Sequence, residues 1–255
     1  MNDLIERAAG IIREGNRILV FTGAGLSTES GIPDFRSPGG IWDRYDPQDF
    51  YYQKIVSDEG ARQKYWKMSS EYYLVMKQAL PNRAHLAVRE IEDMGKLLAV
   101  VTQNIDSLHQ RAGNSPDRII EIHGTAFSVS CLSCGKRYKR DEIEERLKAG
   151  EKAPRCDSCK GILKPATVSF GQSMPEAEMT EAVRCARKCD VCMVLGSSLV
   201  VYPAASVPLH AAEEGAKLVI VNRDPTPLDS QAEVVIHESL GESLTRIMER
   251  VKSFH

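Results

Sequence analysis

Apolar residues in this chain gather in short unbroken runs rather than alternating with polar ones. Residues 18–21, 97–101, 119–122, 191–195 and 218–221 are such runs, with 234–236 a weaker sixth. Strands buried on both faces of a parallel sheet read this way, whereas half-solvated antiparallel strands alternate. Helix-like stretches separate most of the runs. Residues 1–15, MNDLIERAAGIIREG, mix acids, bases and apolar residues at helical spacing and predict a first helix closed by Gly15. The alternation predicts an α/β fold, a Rossmann-like doubly wound parallel sheet.

Each run exits into small or hydrogen-bonding residues. These are Thr22-Gly23-Ala24-Gly25, Thr102-Gln103-Asn104, His123-Gly124, Gly196-Ser197-Ser198 and Asn222-Arg223-Asp224. Polar turns are common at strand ends, so one such exit says little. In a parallel sheet, however, all of them lie along the edge where open α/β folds bind ligands, and together they predict one crevice. Two stretches break the rhythm. Residues 37–84 read as helical with loops, and 126–164 hold the first four cysteines. Both are expected to be insertions that form a smaller lobe, helical in one part and a zinc ribbon in the other. That leaves 1–36, 85–125 and 165–255 as a discontinuous nucleotide-binding domain.

Composition narrows the classes. A chain of 255 residues, 42% hydrophobic, is long enough for a large and a small domain. A net charge of -2 gives no general attraction to nucleic acid or acidic membranes. No apolar stretch approaches the roughly 18 residues of a membrane span, and the N-terminus lacks a secretory signal. No membrane partner is expected. Seven cysteines without an export signal point to a reducing compartment and to metal or packing roles.

Cys131 and Cys134 (CLSC) and Cys156 and Cys159 (CDSC) form two knuckles with 21 residues between them. Four thiolates close a tetrahedral zinc shell and leave no position for water, so one structural Zn2+ is predicted. Cys185, Cys189 and Cys192 have spacing found in iron-sulfur sites. They fall between a helix-like stretch at 176–189 and the run at 191–195, and are expected to be packed as small hydrophobes. The basic stretch KRYKR, 136–140, is expected to be a solvated face, because Asp141, Glu142, Glu144 and Glu145 neutralise it at once; direct nucleic-acid binding is not expected.

Of the six histidines, His85 opens a helical stretch and is expected to pack or hydrogen-bond locally. His109 lies on the helix-like IDSLHQRAG, where it could orient neighbours, and His210, His237 and His255 have no companion motif. His123 alone stands at a strand exit, where it reads either as a general base or as a packed core imidazole. Asn104 and Asp106 supply an amide and a carboxylate at another exit, able to orient ribose hydroxyls, a water or a carboxamide.

The first exit continues as GAGLSTESGIPDFR. Gly23 and Gly25 would let backbone amides approach a pyrophosphate, but Thr28 stands where a dinucleotide fingerprint wants its third glycine. Asp34, Phe35 and Arg36 follow. Asp34 either contacts ligand or caps the following turn.

Together with TQNID, His123-Gly124, the paired knuckles, KPATVSFG, GSSLVVYPA and VNRD, this stretch resembles the sirtuins, NAD-dependent protein deacylases. The resemblance runs from about residue 17 to about residue 240. It implies a Rossmann-like domain, a small lobe with a zinc ribbon and a helical part, and NAD consumed as co-substrate in the cleft between them. By similarity Ala24, Thr28, Phe35 and Arg36 contact NAD, with Trp42 beside them. Gln103, Asn104, Ile105 and Asp106 hold the ribose and the nicotinamide amide. Gly196, Ser197, Ser198, Asn222, Arg223, Asp224 and Leu240 line the adenosine half. Val168 and Phe170 meet the acyl-lysine of an acetylated protein or peptide bound as an extended strand, unless they are simply core strand residues.

In the implied mechanism the acyl oxygen of the modified lysine displaces nicotinamide from the ribose. His123 then activates a ribose hydroxyl, and water releases lysine and O-acyl-ADP-ribose. Gln172 departs from the glutamate many members carry. No Tyr-x-x-Arg pair occurs between residues 50 and 84, so acetyl or a longer neutral acyl group is expected over succinyl. Protein ADP-ribosylation is the alternative within the same chemistry. A hydride-transferring dehydrogenase and a zinc-ribbon nucleic-acid adaptor that only senses NAD are more distant ones. Short flanks around the matched region lead to the expectation of a compact prokaryotic, cytoplasmic enzyme without regulatory extensions.

Overall fold

The computed structural model describes residues 2–253; His255 lies outside them. In chain order the strands are β1 (Ile18–Thr22), β2 (Leu97–Thr102), β3 (Ile119–Glu121), β4 (Gly124–Cys131), β5 (Arg137–Lys139), β6 (Leu163–Thr167), β7 (Val191–Leu195), β8 (Lys217–Val221) and β9 (Val234–Ile236). The helices are α1 (Asn2–Glu14), α2 (Tyr52–Ser57), α3 (Glu59–Gln78), α4 (Arg83–Asp93), α5 (Leu108–Arg111), α6 (Arg140–Lys148), α7 (Glu176–Ala186), α8 (Ser206–Glu213) and α9 (Leu240–Lys252).

Six strands form one sheet in the order β3-β2-β1-β7-β8-β9, with every neighbouring pair parallel. Numbered within that sheet alone the order is 3-2-1-4-5-6, that of doubly wound dinucleotide-binding folds. All six apolar runs became these strands, and β1 and β7 are buried at every residue. The pleat explains why the runs are unbroken. Ile18 and Val20 point to a core shared with Ile12 of α1, Val88 of α4 and Ile247 of α9. Leu19 and Phe21 point to the opposite core, with Ala182 of α7 and Val207 of α8. Burying one such side chain is worth about 1.5–3 kcal/mol, so a polar residue at either phase would be costly. Cys185, Cys189 and Cys192 sit in the second core as free, buried thiols, and burial pushes all three thiol pKa values up.

The remaining strands make a second, antiparallel sheet ordered β5-β4-β6. Trp66 of α3 shares a core with Val129, Tyr138, Ile143, Leu163, Cys131 and Cys156, so helical and cysteine-bearing stretches pack together. KRYKR is not wholly a solvated face. Lys136, Arg137 and Lys139 are exposed, but Tyr138 is buried and Arg140, the first residue of α6, is almost fully so. Arg140 Nε donates to Glu144 Oε1 at 2.7 Å, one helical turn on, and its guanidinium lies over the rings of Trp66 and Tyr73 at 5.1 and 4.8 Å. An i,i+4 pair on the face turned to α3 is buried as a unit, which neutralises the charge that burial would otherwise penalise.

Candidate active site

The β1 exit meets the β7 exit directly. Gly25 N donates to Gly196 O at 2.9 Å, and a Cβ built on Gly25 would stand 2.9 Å from that same oxygen. Gly196 has φ +64, and a Cβ there would lie 2.3 Å from Leu26 N. These two glycines are therefore needed for two strand exits to touch, a requirement separate from clearance for a phosphate. The chain then continues as a 3-10 helix over Ala24–Ser30, and Thr28, in place of a third glycine, donates from Oγ1 to Gly25 O at 3.0 Å.

Behind this segment lies a buried polar cluster drawn from three exits. Asn104 Nδ2 donates to Gly23 O and to Ser27 Oγ, both at 3.1 Å. Ser27 Oγ donates to Asp106 Oδ2 at 2.7 Å, and Leu108 N donates to Asp106 Oδ1 at 2.9 Å. Burial pushes the Asp106 carboxyl above the usual carboxylate range, and the bonds from Ser27 and Leu108 oppose that shift. Gln103 Nε2 reaches across to Ser197 Oγ at 2.9 Å. Beneath them Thr22 Oγ1 donates to Thr102 Oγ1 at 2.7 Å and lies 3.3 Å from His109 Nε2. His109 thus touches the floor of the cluster, while His85 caps its own helix with Asn82, as its position suggested.

His123 stands between the β3 exit and β4. Its Nδ1 lies 3.0 Å from the carbonyl oxygen of Gln103, which can only accept, so Nδ1 carries the proton and Nε2 keeps its lone pair. Burial lowers the imidazole pKa below its ordinary value, with the Gln103 carbonyl opposing, so the ring is neutral at pH 7. The His123 carbonyl accepts from Val168 N at 2.9 Å, which seats the segment after β6 alongside it.

An aromatic wall adjoins this segment. Trp42 packs on Phe35 and Phe170 at centroid distances of 5.4 and 6.0 Å, and Phe170 also contacts Tyr51 at 6.0 Å. Trp42 and Ile105 share one small hydrophobic cluster. Asp34 caps its own turn, accepting from Arg36 N and Ser37 N at 3.0 and 2.8 Å and from Ser37 Oγ at 2.6 Å, and Arg36 is exposed. Ser198 is half-buried beside Ser197. Further along the edge, Asn222 Nδ2 donates to Asp224 O at 2.7 Å, Arg223 and Asp224 are exposed, and Leu240 is buried at the start of α9. These outer residues form a second group, joined to the first at the Gly196 turn, where Gly196 N donates to Val221 O at 3.0 Å.

Ser27, His109 and the hydroxyl pair Thr22 and Thr102 belong to the cluster but carry no spacing signal. In the sequence Thr22 and Thr102 are legible only as strand-exit residues and His109 only as able to orient neighbours; the strand register and the bonds of Ser27 and His109 are what join them.

The four predicted sulfurs converge. Cys131, Cys134, Cys156 and Cys159 Sγ atoms all lie within 4.8 Å of one another, with Cys131 to Cys159 at 3.5 Å and Cys134 to Cys156 at 3.7 Å. A zinc tetrahedron with bonds of about 2.3 Å has edges near ~3.8 Å, so the sulfur set fits a structural Zn2+.

Residues 23–203 match the model of the Sir2 family. A curated NAD-dependent protein deacetylase of Thermodesulfovibrio yellowstonii is 44% identical over 252 residues, covering 99% of this chain and 97% of its own. An NAD-dependent protein deacylase 2 of Archaeoglobus fulgidus is 44% identical over 259 residues, covering 99% and 98%. A solved Sir2 enzyme superposes with a TM-score of 0.90 at 43% identity over all of both chains. A Sir2 structure with a p53 peptide and NAD+ reaches 0.86 at 37% identity, over 94% of this chain and 95% of its own. With its parallel sheet, its four converging thiols and these likenesses along nearly its whole length, the chain belongs to the Sir2 family.

Proposed function

We propose that this protein is an NAD-dependent protein lysine deacetylase that releases nicotinamide and O-acyl-ADP-ribose. The observation that carries the reading is the imidazole of His123. Its Nδ1 is committed at 3.0 Å to the carbonyl of Gln103, the residue before Asn104, which leaves an unprotonated Nε2 at the sheet edge. His123 then takes the proton of a ribose hydroxyl at Nε2 while Asn104 and Asp106 orient the ribose and the leaving carboxamide.

Ala24, Gly25, Thr28, Phe35 and Arg36 would line the nicotinamide ribose and phosphates, with Trp42 behind Phe35. Gly196, Ser197, Ser198, Asn222, Arg223, Asp224 and Leu240 would receive the adenosine half. Val168, next to His123, and Phe170 would meet the acyl-lysine of a peptide that enters as an extended strand. The wall of Phe35, Trp42, Phe170 and Tyr51 is aromatic, which suits acetyl or a longer neutral group better than succinyl. Cys131, Cys134, Cys156 and Cys159 would hold Zn2+ as a scaffold remote from the reaction. Residues 37–84 and 126–164 are taken as one small lobe against a nucleotide-binding domain of 1–36, 85–125 and 165–255, in a cytoplasmic protein. No helix among the described residues is long and apolar enough to cross a membrane.

Mass spectrometry after incubation with NAD and matched acetylated and succinylated peptides tests this. Free nicotinamide, O-acetyl-ADP-ribose and a deacetylated peptide are expected, with the succinylated peptide slower. Reduced cofactor, or ADP-ribose transferred to protein with the acetyl group left in place, would replace this reading with another.

A further inference from the structure

The segment Ala24–Ser30 carries most of the loop assigned above to the dinucleotide, yet it is a single short 3-10 helix. What holds it comes from far along the chain. Asn82, immediately before α4, uses both ends of its amide. Its Oδ1 accepts from Ala84 N at 2.9 Å and His85 N at 3.3 Å, which caps the helix. Its Nδ2 donates to Leu26 O at 2.8 Å and to Ser30 Oγ at 3.0 Å, which binds the segment.

The other strap reaches α9. Ser239, at the N-cap of that helix, makes no side-chain capping bond, and the first turn is served instead by Glu29, whose Oε1 accepts from Gly241 N at 2.9 Å. A Cβ on Gly241 would stand 2.1 Å from Glu29 Oε2, so position 241 is kept clear for that carboxylate. A carboxylate at the positive end of a helix is favourably placed. Helices α4 and α9 pack against each other, and Lys252 Nζ bonds Glu90 Oε2 at 3.0 Å farther along, so the segment is strapped across the N-termini of two packed helices.

We infer that Asn82 and Glu29 are positioning residues for the dinucleotide: they hold Ala24–Ser30 at the height where its amides and Thr28 meet the ligand. This rests on the NAD reading above. Neither residue touches His123, Asn104 or Asp106, and Ser27 within the segment is held separately by its own bonds to Asp106 and Asn104, so the straps act on how well NAD binds more than on the chemical step.

Asn82→Asp separates the two jobs of that side chain. Aspartate caps a helix as well as asparagine does, so α4 is kept, but an acceptor replaces the donor facing Leu26 O. The expected result is KM for NAD raised about tenfold, the size of one lost hydrogen bond, with kcat at saturating NAD within about twofold and a melting temperature lowered by no more than that one bond accounts for. Glu29→Ala should raise KM by about threefold, and Glu29→Gln, which keeps an acceptor for Gly241 N, should restore it. Calorimetric titration with ADP-ribose reads the same straps without turnover. A wild-type protein that binds ADP-ribose but does not deacetylate would overturn the functional reading and leave the straps measurable. If Asn82→Asp binds ADP-ribose as wild type does, or loses kcat in step with affinity, the straps are not positioning devices.

Discussion

The thiol cluster takes its ligands from two knuckles 21 residues apart, each a local turn with fixed internal spacing. The sheet-edge cluster takes Ser27, Asn104, Asp106, His123 and Ser197 from four separate exits, and no two exits are linked by a repeating spacing. The first is local chemistry written in the sequence; the second exists only once six strands have paired in one order. The small sheet, with a core of few residues around Trp66, is therefore expected to lean on its metal, whereas the large sheet holds its polar cluster by packing on both faces.

The largest expected effect breaks the first half of that comparison. Removing zinc with a chelator, or changing Cys156→Ser, should cost the small module on the order of 10 kcal/mol of folding free energy. Amide protection should vanish through β4, β5 and β6 and persist in β1, β2 and β7. A single melting transition that takes both sheets together would show that the two regions are not independent in this way.

Next comes His123→Ala. A general base contributes about 10²–10⁴-fold, so kcat should fall by that factor while ADP-ribose still binds, since the loop glycines and Ser197 are untouched. The pH profile sharpens the point. Burial lowers the His123 pKa, so the neutral base persists into mild acid and the acidic limb of kcat should have its midpoint below the ordinary value of 6.5. A midpoint above 6.5 would mean that His123 is held charged by a partner other than the Gln103 carbonyl.

How much of this was legible can be argued from individual residues. Buried parallel strands announce themselves because both faces demand apolar side chains, so all six runs could be placed to within a residue or so. The small antiparallel sheet could not, since β5 and β6 are short and carry charge and the eight residues of β4 are mostly small or polar. Arg137 and Lys139 flank the buried Tyr138, and Lys164 in β6 is buried with its Nζ donating to Thr167 O at 2.5 Å and lying 5.5 Å from the Tyr65 ring. In sequence a buried Lys164 or Arg140 looks the same as a solvated one. At the site, His123 and Asp106 were visible by type and position, but Ser27 was one serine among several and Asn82 an ordinary cap. Their second roles depend on contacts 79 and 56 residues away.

Two histidines the chemistry does not use give the next effect. Burial drives His85 to about 3 and His109 to about 4, from an ordinary 6.5. Both are neutral when folded, while the unfolded chain takes up a proton on each as pH falls below 6.5. Stability is therefore full above 6.5 and lost progressively below it, by about 2 kcal/mol per histidine at pH 5. Urea unfolding at pH 8 and pH 5 should show this, and His109→Gln should shrink the difference by about one histidine's share. If that variant keeps the whole difference, acid sensitivity resides elsewhere.

The smallest effect bears most directly on the contrast between local and assembled sites. Ser27→Ala removes one hydroxyl that at once donates to Asp106 Oδ2 and accepts from Asn104 Nδ2. Asp106 retains Leu108 N and Asn104 retains Gly23 O, so neither is stripped bare. The loss should be about 1–3 kcal/mol, divided between stability and transition-state binding. The division is the informative part. Asp106 is already pushed upward by burial, and losing the Ser27 bond removes a force holding its charged form, so its titration should move further up. In the Ser27→Ala variant kcat/KM for NAD should therefore fall more steeply toward low pH than in wild type, and Asp106→Asn should abolish that added steepness. If Ser27→Ala instead lowers kcat/KM by the same factor at every pH, Ser27 acts through packing alone and the cluster is less tightly coupled than its bonds suggest.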